Sequence, residues 1–239
     1  MSQLPRQGLL LKGDNGYPDG LVAVLGRDAP SRVSWLGNLA LLEQPALGFC
    51  GSRKATEKGL EAAADCAAQA AEIGIVVVSG YAAGVDASAH FQALANGGST
   101  IIVLPEGISF FRVRAELKPV WSWGNVLVIS QFQDDERWQS FRAMARNKVI
   151  IGLSDAMIVI EAGETGGTMD AGRSTLRYSR PLFVAQYEDM RTEARGNKYL
   201  IELGAQPLNR LRSNGRANMR RVWDTIGGAA SGPRQPSLM

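Results

Sequence analysis

Residues 46–90 read ALGFCGSRKATEKGLEAAADCAAQAAEIGIVVVSGYAAGVDASAH, and they contain the clearest indication of the fold. Two short apolar runs, Ala46–Cys50 and Ile75–Ser79, each lead into an Ala-rich segment of helical periodicity, over 56–73 and 85–96. Strands that are buried on both faces of a parallel sheet read as such continuous apolar runs. The stretch therefore predicts a strand–helix–strand–helix unit.

The same alternation continues towards the C-terminus. Further apolar runs predict strands at Thr100–Leu104, Val126–Ser130, Ala156–Ile160 and Pro181–Ala185, with helices over 138–153 and 168–179. Repeated strand–helix alternation is typical of an α/β fold in which a doubly wound, mostly parallel sheet carries helices on both faces.

The two ends of the chain have a different pattern. Residues 1–45 contain the turn signal Tyr17-Pro18-Asp19-Gly20 and two apolar segments, Leu21–Leu25 and Arg32–Leu42, that predict short helices. We expect this region to be an N-terminal extension packed on the core domain, which spans 46–209. Residues 210–239 are rich in Arg and end in GGAASGPRQPSLM, which predicts a flexible tail.

Composition excludes several classes of protein. The chain has 239 residues, is 45% hydrophobic and carries a formal charge of +3, so it can bury a core and is not disordered throughout. No run approaches the roughly 20 apolar residues of a membrane span, and the N-terminus does not resemble a secretory signal, so we expect a cytoplasmic protein. Two Cys and one His argue against a disulfide framework and against a metal site.

Three glycine-containing loops follow predicted strands and open predicted helices. They contain Gly51-Ser52-Arg53, Gly80 with Gly84, and Gly166-Gly167-Thr168. Backbone N–H groups at a helix N-terminus bind phosphate, and the carboxyl ends of parallel strands meet at one edge of the sheet. The alternatives are tight turns with Arg53 in solvent.

Asp86 suits a helix cap, and His90 is expected to be a structural residue, so no catalytic residue is predicted.

The helix predicted from Trp138 combines aromatic and basic side chains. Trp138, Phe141, Ala145 and Lys148 share one helical face, and Arg142 and Arg146 are four residues apart. Aromatic rings that stack on bases and cations that contact phosphates are typical of single-stranded nucleic-acid binding. The alternative is an ordinary amphipathic helix with its rings in the core and a solvated basic face.

An ordered series of motifs over about 190 residues resembles the DNA-processing protein A (DprA/Smf) family. The series runs through Tyr17-Pro18, Gly51-Ser52-Arg53, SGYAAGVDASAH at 79–90 and GGSTIIVLPEGI at 97–108. It continues with Phe141, Arg146-Asn147-Lys148, the loop over 161–172, Arg180–Ala185 and Gly196-Asn197. Each motif is short, and their order and spacing carry the resemblance.

The resemblance implies an extended Rossmann-like domain that binds single-stranded DNA without being an enzyme and without a cofactor. It also implies protection of single strands, help in loading RecA during DNA uptake and recombination, and a homodimer. Carried over by motif, Arg53 contacts phosphate, Phe141 stacks on a base, and Arg146, Asn147 and Lys148 contact the backbone. The DNA-binding residues expected from the loops are Gly51, Ser52, Gly80, Gly84, Gly166, Gly167 and Thr168.

This sequence departs from the family pattern at several positions. Position 83 is Ala where the glycine loop of the family has Arg, Lys148 replaces an Arg, and Gln131 replaces an acidic residue. The flanking helical and winged-helix domains of many members are absent, so we expect a core-only form. An alternative is a nucleotide-binding or nucleotide-cleaving enzyme of the lysine-decarboxylase-like, cytokinin-activating type, because the loop EAGETGGTMDAG has a similar glycine pattern.

Overall fold

The computed structural model describes residues 5–187 and 194–230 of the chain. Within them nine strands form one sheet in the order β1-β2-β6-β5-β4-β3-β7-β8-β9. The strands are β1 (Gln7–Leu11), β2 (Arg32–Gly37), β3 (Ala46–Gly51), β4 (Val76–Ser79), β5 (Thr100–Val103), β6 (Val126–Ser130), β7 (Ala156–Ile160), β8 (Leu182–Ala185) and β9 (Gln206–Leu208).

Seven α-helices connect or flank these strands in the described ranges. They are α1 (Asp19–Leu25), α2 (Glu57–Glu72), α3 (Val85–Ala95), α4 (Ser140–Leu153), α5 (Gly167–Arg177), α6 (Arg195–Glu202) and α7 (Arg220–Ala230). None of the helices in this part of the chain is long and apolar enough to cross a bilayer.

The seven strands from β3 to β9 are parallel, and their side chains are buried on both faces of the sheet, in two large clusters and a smaller one that includes Ile102 of β5 and Val128 of β6. In β4, Val76 and Val78 belong to the core beneath α1, α4 and α5, whereas Val77 belongs to the core beneath α2, α3 and α7. Burial on both faces explains why these strands read as uninterrupted apolar runs. The predicted α/β class with a doubly wound, mostly parallel sheet is confirmed.

The predicted helix at Arg32–Leu42 is wrong. Residues 32–37 form β2, which pairs antiparallel with β6 through Ser34 opposite Ser130, and only Leu39–Glu43 turns as a short 3₁₀ helix. Val33 and Leu36 have helical spacing, but pairing with β6 overrides that local pattern. The preceding strand, β1, was not predicted either, and it pairs antiparallel with β2 at the edge of the sheet.

The N-terminal region is thus part of the sheet as well as packed on it. Helix α1, predicted at Leu21–Leu25, lies against α4 with Leu21 and Leu25 fully or nearly buried. Gly20 and Gly152 permit this close approach, since a Cβ at Gly152 would lie 2.8 Å from Leu21 Cδ2 and a Cβ at Gly20 would lie 2.8 Å from the carbonyl oxygen of Gly152.

The C-terminal region differs from the flexible tail expected from residue 210. Arg210 pairs with Ala217 in a β-bridge, and α7 buries Val222 and Ile226, one turn apart, in the core beneath α2. The abundance of arginine in the region predicted a flexible tail, and two apolar residues alone did not indicate a helix. The rest of the expected tail, residues 231–239, lies outside the described residues.

Candidate nucleic-acid interface

A cleft of about 430 Å³ opens where the strand order reverses. The chain moves from β3 through β4 and β5 to β6 on one side, then returns to β7, β8 and β9 on the other side of β3. Loops that leave β3 and β7 therefore diverge and leave a crevice at the carboxyl edge, which is the usual ligand site of such sheets. Seven of the twelve predicted site residues line this cleft: Gly51, Ser52, Arg53, Arg146, Asn147, Gly167 and Thr168.

The first two glycine loops hold each other in place. Gly84 has a φ of 77°, and a Cβ there would overlap the carbonyl oxygen of Ser52. The N–H of Val85 donates to that same carbonyl over 3.3 Å. Gly84 does not line the cleft, so its observed contribution is to let the loop after β4 support the loop after β3.

The third loop leaves the N-terminus of α5 open to the cleft. Gly166 has a φ of 96°, a conformation that L side chains rarely adopt. A Cβ at Gly167 would meet no atom within 4 Å. The carbonyl of Gly167 accepts from Nδ2 of Asn147 at 3.3 Å, which fixes α5 against α4. The N–H groups of a first helical turn have no intrahelical partner, so they can donate to an anion.

Arg146 supplies a cation to the wall of the cleft although only 5% of its surface is exposed. Its Nη1 lies 3.9 Å from Oδ2 of Asp86, and its Nε is buried without a hydrogen-bond partner. Gly80 makes room for the guanidinium, because a Cβ at position 80 would overlap it. Burial lowers the pKa of Arg146, and the Asp86 carboxylate opposes that shift. The buried Nε without a hydrogen-bond partner is an unusual feature of this side chain, because buried polar atoms are normally paired.

Arg53 is an exposed cation on the lining of the same cleft. Within residues 5–187 and 194–230 its side chain makes no hydrogen bond or ion pair. Neighbouring Ser52 uses its hydroxyl to accept from the N–H of Lys54 at 3.0 Å, which stabilises the turn that carries Arg53. The guanidinium can therefore be recruited by a ligand without breaking a native contact.

Five predicted residues are not part of the cleft lining: Gly80, Gly84, Phe141, Lys148 and Gly166. Lys148 Nζ pairs with Asp28 Oδ2 at 2.9 Å, and Phe141 is 60% exposed on the flank of α4. The aromatic side chain that does line the cleft is Trp138, which is 48% exposed. The sequence pattern predicted that Trp138 and Phe141 share one helical face. Trp138 precedes α4 in the structure, so helical spacing does not relate the positions of the two side chains.

Sequence reasoning missed Glu161, a buried acid on the cleft wall with a φ of 52°. Its carboxylate accepts from the N–H of Thr56 at 2.8 Å and from the hydroxyls of Thr56 and Tyr187. Burial, followed by the hydrogen bond to Glu161, raises the pKa of Tyr187. Glu161 thereby links the start of α2 to the end of β7. Its negative charge lies at the positive N-terminal end of the α2 dipole, where it stabilises the helix.

The reactive side-chain types near the cleft are poorly suited to catalysis. Burial, with a smaller contribution from Asp86, raises the pKa of the Cys50 thiol to about 12. His90 is buried, its Nε2 donates to the carbonyl of Gly80 at 2.5 Å, and burial lowers its pKa to about 4. A high-pKa thiol is a weak nucleophile. Across the described part of the chain no three His, Cys, Asp or Glu side chains are grouped to hold a metal.

Comparison with known proteins is consistent with this architecture. The family model for DNA recombination-mediator protein A matches residues 8–214. The chain belongs to this family. DNA processing protein DprA of Streptococcus pneumoniae is 33% identical over 194 residues, which are 81% of this chain and 68% of that protein. Protein Smf of Synechocystis is 29% identical over 75% of this chain, which spans only 46% of Smf.

Two solved structures of family members superpose on the chain. The X-ray structure of DprA from S. pneumoniae has a TM-score of 0.76 at 31% identity, covering 85% of this chain and 71% of that one. DNA processing protein A from Helicobacter pylori, whose structure concerns a unique single-stranded DNA binding mode, has a TM-score of 0.74 at 26% identity, covering 94% and 96%. These matches confirm the resemblance drawn from the motifs and do not favour the nucleotide-cleaving alternative.

Proposed function

We propose that this chain is a recombination-mediator protein of the DprA type that binds single-stranded DNA in the cleft between the loops that follow β3 and β7, without catalysing a reaction. One observation carries the proposal: exposed Arg53, buried Arg146 and the open N-terminus of α5 all face the same crevice. Three positive groups around one cleft match a phosphate chain.

The parts of the cleft suggest different contacts with a strand. A phosphate at the first turn of α5 would accept from the N–H groups of Gly167 and Thr168 and from Arg146. The Trp138 ring, which also lines the cleft, would stack on a base, and Met144 in the same lining adds an apolar surface. Stacking on an aromatic ring contributes about 1–3 kcal/mol per base.

The finer roles rest on the family resemblance. Protection of incoming strands, RecA as a protein partner, a homodimer and a cytoplasmic location are proposed on that basis. The chemistry of the cleft supports the proposal that the protein is not an enzyme. Both acids of the cleft have structural partners, because Asp86 pairs with Arg146 and Glu161 accepts a hydrogen bond from the start of α2.

Fluorescence anisotropy with a labelled single-stranded oligonucleotide and its duplex, at several salt concentrations, tests the proposal. We expect salt-sensitive binding that prefers the single strand, because counterion release drives phosphate contacts and only unpaired bases can stack on Trp138. No binding at low salt would contradict it. Release of free base from a nucleoside monophosphate would instead support the enzyme alternative.

A further inference from the structure

The position of Arg146 in the cleft depends on packing. Within residues 5–187 and 194–230 its guanidinium makes no hydrogen bond, although only 5% of the residue is exposed. Its ion pair with Asp86 is long, since Nη1 and Oδ2 are 3.9 Å apart. A contact of this length orients a guanidinium poorly, because charge-assisted hydrogen bonds need about 2.7–2.9 Å between nitrogen and oxygen. The surface beneath the guanidinium therefore decides where the cation lies.

That surface is the backbone of Gly80, the residue that follows β4. A Cβ at position 80 would overlap the Arg146 guanidinium, so the cation packs directly on the backbone there. A shift of this backbone moves the guanidinium with it, because a close-packed interior leaves no free space to absorb the change. The carbonyl of Gly80 accepts a hydrogen bond from Nε2 of His90 at 2.5 Å. His90 thereby holds the backbone against which Arg146 packs.

The ring of His90 is itself held on both sides. His90 is fully buried in α3, and its Nδ1 is 2.6 Å from the hydroxyl of Thr100 at the start of β5. A carbonyl can only accept a hydrogen bond, so Nε2 carries the proton. Burial lowers the pKa of His90 to about 4, so the ring is neutral at pH 7 and Nδ1 accepts from the Thr100 hydroxyl. The same hydroxyl is 2.9 Å from the carbonyl of Val77, the longer of its two contacts. Thr100 thus fixes the tautomer that donates to Gly80.

Asp86 binds the same loop from the preceding turn of α3. It lies four residues before His90, so both side chains project from one face of the helix. Its carboxylate accepts from the N–H of Ala82 at 3.2 Å and faces Arg146. Helix α3 therefore contacts the loop after β4 at two points, the carbonyl of Gly80 and the N–H of Ala82. The carboxylate supplies charge to the cation, whereas the neutral His90 ring acts only through the backbone.

We propose that His90 is a positioning residue for DNA binding. Its hydrogen bond to Gly80 keeps the backbone in the place from which Arg146 reaches the cleft. The Thr100 hydroxyl keeps the ring in the donating tautomer. His90 is fully buried and does not line the cleft, so it acts through Arg146 and does not touch the strand. The inference rests on the proposed function, and it assigns part of the affinity to a residue behind the cleft.

Two pairs of variants test the two hydrogen bonds by fluorescence anisotropy with a single-stranded oligonucleotide. His90→Leu removes the donor to Gly80 and should weaken binding about tenfold, the effect of one lost hydrogen bond. His90→Gln keeps an N–H donor and should bind within about twofold of the unmodified protein. Thr100→Val removes the hydroxyl and should weaken binding several-fold, whereas Thr100→Ser keeps the hydroxyl and the affinity. If His90→Leu does not fold, equal binding by the two Thr100 variants overturns the role.

A double-mutant cycle separates positioning from a general loss of structure. In an Arg146→Gln background, His90→Leu should weaken binding by less than about twofold, because the cation that it positions is gone. A tenfold loss in that background as well would show that His90 acts by another route and would overturn the proposal.

Leu10→Ala is the matched control for stability. Leu10 is buried in β1, four strands away from β4 in the sheet, so the variant leaves a cavity far from Gly80. Urea unfolding should show a loss of stability, and the affinity should not change. An affinity loss equal to that of His90→Leu would mean that binding follows stability, and the role would fall. Unchanged binding by Arg146→Gln would overturn the positioning role alone. If the unmodified protein binds no oligonucleotide, the proposed function fails and this inference fails with it.

Discussion

Gly167→Ala should raise stability and lower DNA affinity at the same time. A Cβ at this position meets no protein atom within 4 Å, and Gly167 does not have a positive φ. Alanine at the start of α5 should therefore stabilise the fold by about 0.4–1 kcal/mol, because it restricts the unfolded chain. The added methyl group points into the space that a phosphate must occupy to reach the N–H groups of α5.

The expected loss of binding follows from those N–H groups. A hydrogen bond to a charged group contributes about 1.5–3 kcal/mol, so displacing the phosphate from one donor should weaken binding about 10- to 150-fold. Urea unfolding measures the stability and fluorescence anisotropy measures the affinity for a single-stranded oligonucleotide.

Gly228→Ala is the matched control for this experiment. Gly228 lies in α7, where a Cβ also meets no atom within 4 Å, and α7 packs on the other face of the sheet. This variant should gain stability without any change in affinity. Unchanged DNA binding by Gly167→Ala would refute the assignment of a phosphate to the α5 terminus.

Three further predictions concern neighbouring residues. Gly80→Ala should destabilise the fold by about 1–3 kcal/mol and weaken DNA binding, because the methyl group displaces buried Arg146; urea unfolding and anisotropy measure the two effects. Arg53→Ala should leave stability unchanged and lower the slope of log affinity against log salt by about 1, and an unchanged slope would remove Arg53 from the site. The single His gives a pH prediction: its folded pKa of about 4 lies below the usual 6.5, so the unfolded chain binds the proton first as pH falls. Unfolding free energy should decrease by about 2 kcal/mol from pH 7 to pH 5, and His90→Gln should remove that part of the decrease.

The parallel core of the sheet could be predicted from sequence because its strands are buried on both faces. Val126–Ser130 and Ala156–Ile160 have the bounds expected from their apolar runs. The edge strands lack that signal. In β9, three residues that include Pro207 form the last strand, and β1 leaves Leu9 exposed, so neither segment reads as a buried run.

The parts of the candidate site that depend on backbone geometry could be predicted from the sequence. The parts that depend on the partners of long side chains could not. The loops around Arg53 and Gly167 reach the cleft because each follows a strand at the switch point. Lys148 pairs with Asp28, which lies 120 residues earlier in the chain, so no local sequence pattern predicts this pair. Glu161 was missed for the same reason, since its partner Thr56 is 105 residues away.

Amide hydrogen exchange with and without a single-stranded oligonucleotide tests most directly whether the strand lies in the cleft. The N–H groups of the first turn of α5 have no intrahelical partners, so a bound phosphate should slow their exchange. We expect new protection at the amide of Arg53 and at residues 166–168, with α7 unchanged, since the amides of Ser52 and Lys54 are already hydrogen-bonded. Protection confined to α7 and β9, with none in the two loops, would contradict the central claim.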